Sequence, residues 1–153
     1  MAKPEVSHNA KQLLVPLDGS DASYHSLSSA CEIAKLHDGS VSSLYVIEVP
    51  RTLPIDTDLR KEFDHGEQIL SHAEEIAIAH KVKLEGTMCQ ARQAGHAIVD
   101  EAIANKVDAI VIGVEYKRPY GRFRLGRLPQ YALAHAPCEV WLFRYTPSGI
   151  NIT

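Results

Sequence analysis

A basic segment with two glycines has the clearest chemical character in the sequence. Five cationic side chains lie within the eleven residues 117–127: Lys117, Arg118, Arg122, Arg124 and Arg127. The segment follows the apolar run Ala109–Gly113 and leads into a helical pattern that starts at about Leu128. The N–H groups and the positive dipole end of a helix N-terminus bind phosphate, and glycine lets a backbone approach an anion closely. The segment therefore predicts a phosphate or nucleotide site, with a solvated basic loop as the alternative.

Asp18 is the second residue whose type and position suggest chemistry. It directly follows the apolar run Leu13–Leu17 and precedes a Gly-Ser-Asp turn. A carboxylate at this place can accept hydrogen bonds from a ribose hydroxyl or an adenine amino group. The same residue type also caps helices and closes Asx turns. The spacing alone leaves both roles open.

Motifs for several other chemistries are missing from the sequence. It contains no GxxxxGK[ST] loop, no GxSxG turn and no HExxH pair. Among the histidines, His65 and His72 lie two helical turns apart, about 10 Å, which is too far to share one metal ion. The three cysteines are far apart and form no CxxC pair, which favours small buried residues in a reducing environment: Cys31, Cys89 and Cys138. We expect no metal site and no dedicated catalytic residue, with slow nucleotide hydrolysis left open.

The length and charge of the chain limit its class. The 153 residues carry a net charge of −3 and are 45% hydrophobic, as expected for one globular domain. This balance argues against a nucleic-acid-binding protein with a uniformly basic surface. No apolar run approaches the ~20 residues that span a bilayer, and the polar N-terminus lacks a signal-peptide segment. We expect a cytoplasmic protein with a disordered tail (1–11), one domain (12–145) and a C-terminal tail (146–153).

Strands and helices are predicted to alternate along the chain. Apolar runs predict strands at 13–17, 41–49, 82–89, 109–113 and 139–144. Helical spacing predicts helices at 22–36, 59–80, 95–105 and about 128–135. The second and third helices show apolar residues at helical spacing: Phe63, Leu70, Ala73 and Ala77, then Ile98, Ala102 and Ile103. This order predicts an α/β fold, a doubly wound parallel sheet that binds ligands beyond the carboxyl ends of its strands.

Five stretches of the sequence, in the expected order, resemble the universal stress protein family. They are 14–20 (LVPLDGS), 44–47 (LYVI), 95–99 (GHAIV), 108–113 (DAIVIG) and 135–140 (HAPCEV). The resemblance covers about residues 12–145 and implies a five-stranded parallel sheet of order 3-2-1-4-5. Helices would cover both faces, in an adenine nucleotide alpha hydrolase-like fold. It also implies a homodimer paired through the last strand, Glu139–Arg144, whose edge a partner could cover.

The ATP-binding branch of that family carries the motif G-x2-G-x9-G-(S/T). Gly113 matches the first glycine and Gly126 the third, whereas Tyr116 replaces the second glycine and Arg127 replaces the serine or threonine. The spacing is intact, but a phosphate-contacting hydroxyl is missing and Tyr116 would crowd the backbone. The cations of the segment add anion contacts instead.

The resemblance also implies which residues surround the nucleotide. Pro16 and Asp18 would face the adenine and ribose, the Val46 backbone would read the adenine edge, and Ile112 with Gly113 would form the floor. The complete nucleotide-binding set is Pro16, Asp18, Val46, Ile112, Gly113, Tyr116, Gly126, Arg127 and Leu128. The additional phosphate-binding candidates are Lys117, Arg118, Arg122 and Arg124.

The altered motif leaves two outcomes for the ligand. The added cations favour a site re-tuned for an adenine nucleotide such as ATP, AMP, cyclic AMP or a cyclic dinucleotide, with Mg²⁺ only as the companion of ATP. The alternatives are a stress-response interaction scaffold with a vestigial site and, further, a weak ATPase. We predict a non-catalytic, dimeric regulatory module that binds no nucleic acid and does not insert into membranes. Residues 92–98 and 136–138 are similar to stress-protein domains fused to membrane transporters, which implies a transporter as one regulated partner.

Overall fold

The chain folds into one parallel sheet flanked by helices. The computed structural model describes residues 10–116 and 123–146. The strands are β1 (Gln12–Leu17), β2 (Ser40–Glu48), β3 (Leu84–Ala91), β4 (Ala109–Glu115) and β5 (Glu139–Tyr145). The helices are α1 (Asp21–Leu36), α2 (Arg60–Ala79), α3 (Ala94–Asn105) and α4 (Arg127–His135). Every predicted strand and helix is present, and no end differs from its prediction by more than two residues.

The strand order confirms the predicted topology. The order is β3-β2-β1-β4-β5, and every neighbouring pair is parallel. The direction of winding reverses between β1 and β4, because β2 and β3 lie on one side of β1 and β4 and β5 on the other. The predicted five-stranded parallel sheet of order 3-2-1-4-5, with helices on both faces, is therefore confirmed.

Two apolar layers hold the helices on opposite faces of the sheet. On one face, Leu13 and Val15 of β1 pack with buried residues of α1 and α2. On the other face, Leu14 of β1 packs with Ile98 of α3 and Ala132 of α4. Successive side chains of a strand point to opposite faces, so a strand covered on both faces is apolar throughout. This burial explains why β1 and β4 appear in the sequence as continuous apolar runs.

Three local details differ from the sequence prediction. The third strand starts at Leu84, since Val82 instead closes the end of α2 by donating its N–H to the Ala77 carbonyl. Phe63, predicted on the apolar face of α2, is 41% exposed, and the Arg60 guanidinium lies 5.6 Å from the centre of its ring. Ile103 of α3 is 54% exposed, because the buried row of that helix runs through Ile98 and Ala102.

The packed chain begins before β1. Ala10 is fully buried, and the Lys11 N–H donates to the Asp108 carboxylate. These two residues belong to the folded domain, although the sequence places them in the N-terminal tail. The remainder of that predicted tail, 1–9, and residues 147–153 of the C-terminal tail lie outside the described residues.

The cysteines are packing residues. Cys31 is buried, and Cys89 and Cys138 are half-buried. Burial raises the pKa of the Cys31 thiol to about 11, with a smaller contribution from the charge of Glu32. Burial also raises the pKa of Cys89 and of Cys138. All three thiols therefore stay protonated near neutral pH, where a thiol is a poor nucleophile.

Candidate functional site

The sheet opens between the carboxyl ends of β1 and β4. Their paired register includes only Leu13 with Ala109 and Leu14 with Ile110. The Gln12 carbonyl accepts from the Asp108 N–H, and residues two apart along a strand face the same neighbour. The backbone of Pro16 therefore also faces β4. Because proline has no N–H, it cannot donate the next hydrogen bond between the two strands. A crevice at this switch in strand order is where doubly wound sheets bind ligands.

An inner cavity of about 230 Å³ occupies this crevice. Its walls are mainly apolar side chains from β2, α3, β4 and α4, with polar groups at its rim. The lining residues are Pro16, Leu17, Asp18, Ser23, Leu44, Val46, Glu48, Ala94, Ile98, Ile112, Gly113 and Leu128. Apolar walls with a few polar groups form a surface suited to a flat heterocycle.

The backbone of Val46 lies at the edge of the inner cavity. Ser40 donates its N–H to Lys11 on the β1 side, whereas Val41 donates to Lys83 on the β3 side. Since backbone groups of alternate residues face the same neighbouring strand, the N–H and C=O of Val46 point toward β1. If the two strands continued to pair, the Gly19 N–H would donate to the Val46 carbonyl. The pairing of β1 with β2 ends at Leu17, however, and the chain turns away at Gly19, whose φ is +85°. The Val46 carbonyl is therefore positioned to accept a hydrogen bond from a ligand.

Asp18 has a structural role and also lines the cavity. Its Oδ1 accepts from the Ser20 N–H at 2.9 Å and from the Ser20 hydroxyl at 2.5 Å. Ser20 in turn caps α1, accepting from the Ser23 N–H. Within the described residues, Oδ2 of Asp18 has no hydrogen-bond partner. The turn therefore holds the carboxylate in place while its second oxygen remains available to a ligand.

An outer cavity of about 410 Å³ continues from the inner one. The two share Asp18, Ile112, Gly113 and Leu128. The rest of the outer lining is Ser20, Ala22, Val114, Glu115, Arg124, Gly126, Arg127 and Pro129. α4 begins here at Arg127, and its N-cap, Gly126, offers no side chain to the first-turn N–H groups. Two exposed arginines beside an uncapped helix N-terminus make this cavity suited to an anion.

The two motif glycines have different structural environments. A Cβ atom on Gly113 would lie 2.1 Å from the Ala22 carbonyl oxygen of α1. Gly113 therefore permits the close packing of β4 against α1. Among the described residues, a Cβ atom on Gly126 would meet nothing within 4 Å, and its φ of −72° suits any residue. Within that part of the chain, no packing contact requires a glycine at position 126.

Tyr116 lies away from both cavities, at the end of β4. Its N–H donates to the Tyr145 carbonyl at 2.7 Å, and its ring stacks on Phe123 at 5.7 Å. The Arg144 guanidinium lies 4.5 Å from the centre of the Tyr116 ring and 5.3 Å from that of Phe123. Tyr116, just before the basic segment, is thus in contact with Phe123 within it. Lys117, Arg118 and Arg122 lie outside the described residues.

Glu48 is a cavity residue that the sequence analysis did not identify. It is the last residue of β2, and its Oε2 accepts from the Ala94 N–H at the start of α3. The sequence did contain a signal for it, because an acidic residue at the carboxyl end of a strand in a doubly wound sheet lies where such sheets bind ligands.

Among residues 10–116 and 123–146, the other titratable groups form no metal-binding cluster. In the part of the chain that the structure describes, no cluster of three histidine, cysteine, aspartate or glutamate residues could hold a metal ion. His72 instead contacts Glu75 at 3.5 Å, and His80 is hydrogen-bonded to the Ser28 hydroxyl.

Within residues 10–116 and 123–146, no helix has the length and hydropathy needed to cross a bilayer.

Comparisons with known sequences identify a family. The model of the universal stress protein family matches residues 9–144. A universal stress protein of Methanocaldococcus jannaschii is 31% identical over 138 residues, which cover 85% of this chain and 79% of the relative. One of Thermus aquaticus is 30% identical over 138 residues, covering 88% of this chain and 98% of the relative.

Solved structures share the fold. A universal stress protein of Archaeoglobus fulgidus superposes with a TM-score of 0.74 at 23% identity, covering 86% of this chain and 97% of that one. A universal stress protein of Archaeoglobus fulgidus in complex with dAMP superposes with a TM-score of 0.69 at 20% identity, covering 86% of this chain and 96% of that one. A universal stress protein in complex with cAMP superposes with a TM-score of 0.66 at 22% identity, covering 88% of this chain and 96% of that one. From the family model and the relatives of at least 30% identity, this chain belongs to the universal stress protein family.

Proposed function

We propose that the chain binds an adenine nucleotide across the two cavities and acts as a non-catalytic regulatory module. The observation that carries the proposal is the continuity of the cavities at the switch point. The inner cavity has apolar walls and acceptor groups at its rim, which suits a base and ribose. The outer cavity has Arg124, Arg127 and the start of α4, which suit phosphates. The dAMP and cAMP complexes of the structural relatives support the same ligand class.

A thermal-shift panel tests this proposal. The ligands are ATP, ADP, AMP, cyclic AMP, cyclic di-AMP, GTP and inorganic phosphate. A ligand at one hundred times its Kd stabilises the native state by about 2.7 kcal/mol, which for this size raises Tm by roughly 5–10 °C. We expect such a shift with at least one adenine nucleotide and not with phosphate alone. No shift with any nucleotide would contradict the proposal.

Charge reversal of the two arginines tests the assignment of the phosphate end. The double substitution Arg124→Glu with Arg127→Glu is expected to weaken nucleotide binding by about 100-fold, since each charge-assisted hydrogen bond contributes about 1.5–3 kcal/mol. The matched control is Arg60→Glu with Lys83→Glu, which makes the same charge change at exposed positions outside both cavities. Isothermal titration calorimetry measures both. Equal losses in the two variants would remove the outer cavity from the proposed site.

The scaffold alternative has one observation in its favour. The motif's second glycine and its hydroxyl residue are replaced by Tyr116 and Arg127, and the Tyr116 ring is engaged with Phe123 and Arg144. A scaffold predicts an unchanged Tm across the whole nucleotide panel. For the ATPase alternative, the readout is phosphate release from ATP with Mg²⁺. Asp18 and Glu115 line the outer cavity and offer the carboxylate oxygens that Mg²⁺ prefers.

We propose that the module works as a homodimer paired through β5, and a transporter is one candidate for the regulated partner. β5 lies at the edge of the sheet, and its side chains from Val140 to Phe143 are only partly buried. Trp141 is the only tryptophan of the chain, so its fluorescence reports on this strand. Dilution is expected to shift Trp141 emission to longer wavelength as sedimentation equilibrium shows the mass falling by half. A monomeric mass at all concentrations would contradict the dimer.

A further inference from the structure

Glu48 stands at the mouth of the inner cavity, beyond the Val46 backbone. Alternate residues of a strand share a face, so Leu44, Val46 and Glu48 form one row along β2. Glu48 lines the inner cavity together with the other two. It also borders an adjoining recess of about 120 Å³, which includes Arg127 and Tyr131. The row therefore changes along its length from an apolar wall to a carboxylate at the rim.

The carboxylate of Glu48 is held in position by α3. The N-cap of that helix, Gln93, makes no side-chain hydrogen bond to it. The Glu48 side chain caps the helix instead, because its Oε2 accepts a hydrogen bond from the Ala94 N–H at 3.0 Å. The carboxylate thus lies at the positive end of the helix dipole, where a negative charge is attracted. Within the described residues Oε1 has no hydrogen-bond partner.

The polar side chains of the inner cavity act as acceptors toward a ligand. The polar side chains in its lining are Asp18, Glu48 and the Ser23 hydroxyl. Ser23 already donates its hydroxyl hydrogen to the Ser20 carbonyl at 2.8 Å. The Val46 carbonyl adds an acceptor at the same edge as Glu48. A base that presents an amino group there gains hydrogen bonds, whereas a carbonyl oxygen would face a carboxylate and leave it unpaired.

We infer that Glu48 is a specificity-determining residue that accepts a hydrogen bond from the exocyclic amino group of a 6-aminopurine and disfavours 6-oxopurines. The inference rests on the proposed nucleotide-binding function. An exocyclic amine carries two hydrogens, so the Val46 carbonyl and Glu48 can each accept one. Val46 would accept its hydrogen bond through the backbone carbonyl, which a substitution does not remove. Glu48 would accept through its side chain, so its contribution can be tested by mutation.

The test compares nucleotides that differ at position 6 of the purine. Isothermal titration calorimetry measures Kd for AMP against IMP and for ATP against ITP. We expect the wild-type protein to bind the 6-amino member of each pair at least about tenfold more tightly, because one hydrogen bond to a charged group is gained or lost.

The substitution Glu48→Gln isolates the charge. Glutamine retains an oxygen that can accept from the Ala94 N–H, and its NH₂ group can donate to a 6-carbonyl oxygen. The 6-amino preference is therefore expected to fall by about tenfold or more, with a Tm close to that of the wild type. Glu48→Asp, which keeps the charge but withdraws it from the cavity, should lose selectivity in the same direction. The matched control is Glu85→Gln on β3, outside both cavities, with unchanged selectivity.

The outcomes separate this inference from the proposed function. Loss of the 6-amino preference in Glu48→Gln and Glu48→Asp, but not in Glu85→Gln, supports the assignment. A preference that survives both Glu48 substitutions overturns it, and so does a wild-type protein that binds AMP and IMP equally while binding nucleotides well. A wild-type protein that binds none of the four nucleotides overturns the proposed function and this inference together.

Discussion

The substitution Gly113→Val is expected to lower Tm by roughly 2–12 °C. The new Cβ atom would lie 2.1 Å from the Ala22 carbonyl oxygen and 2.9 Å from Cβ of Ser26. The nearest obstacle is helix backbone, so relief requires the first turn of α1 to move away from β4. Overpacking of this kind costs typically 1–3 kcal/mol and occasionally more, and each 1 kcal/mol lowers Tm by about 2–4 °C at this size.

Gly126 is the matched position for this experiment. A Cβ atom there meets no atom of the described residues within 4 Å and the backbone needs no glycine, so Gly126→Ala is expected to change stability by less than about 0.5 kcal/mol. Its effect should be on nucleotide affinity, because the residue lines the outer cavity. Thermal unfolding followed by circular dichroism, with calorimetric titration, separates the two. A wild-type Tm for Gly113→Val would show that α1 does not pack as closely on β4 as described.

The substitution Ala94→Trp is expected to weaken nucleotide binding by more than about 100-fold without unfolding the protein. Ala94 is the first residue of α3 and lines the inner cavity, where a large ring would occupy the space for the base. The Glu48 hydrogen bond goes to the backbone N–H of Ala94 and is retained. Loss of the apolar contacts of a base and of its edge hydrogen bonds, at 1.4 kcal/mol for each tenfold step, gives this magnitude.

Ala104→Trp provides the control for Ala94→Trp. Ala104 lies on the same helix but is exposed, so the same side chain is added to solvent rather than to the cavity. We expect its affinity for nucleotides to be unchanged. Calorimetric titration with the nucleotide that gives the largest thermal shift measures both variants. If Ala94→Trp binds as tightly as Ala104→Trp, the base does not occupy the inner cavity.

The strands and helices could be predicted almost entirely from local patterns, whereas the strand order came from the resemblance to a family. β1 and β4 are apolar throughout because helices cover both faces of the sheet, and such runs are visible without an alignment. Lys81 shows where local patterns fail. It adopts φ +58°, and the turn that it forms draws Val82 into the core rather than into β3. A turn of this kind depends on how the end of α2 packs, which spacing does not reveal.

The candidate site could be predicted in part. Asp18, Arg124 and Arg127 were identified from charge and position, and the structure places all three in the outer cavity. Glu48 was missed because its place in the inner cavity depends on how closely β2 approaches α3. Tyr116 was placed beside the phosphates by motif spacing, yet the structure shows its ring with Phe123 and Arg144.

The sequence by itself therefore determined the order of the strands and helices, the family, and the presence of Arg124 and Arg127 ahead of the last helix. The order of elements follows from apolar periodicity, the arginines from their position, and the family from five short stretches that resemble it. All three are read from neighbouring residues along the chain. Only the tertiary structure decided which side chains share a cavity and why Gly113 is a glycine. The inner cavity combines residues from β1, β2, α3, β4 and α4, and the distances between those elements depend on strand register and helix packing. Register and packing are properties of the whole fold, which no single stretch of sequence encodes.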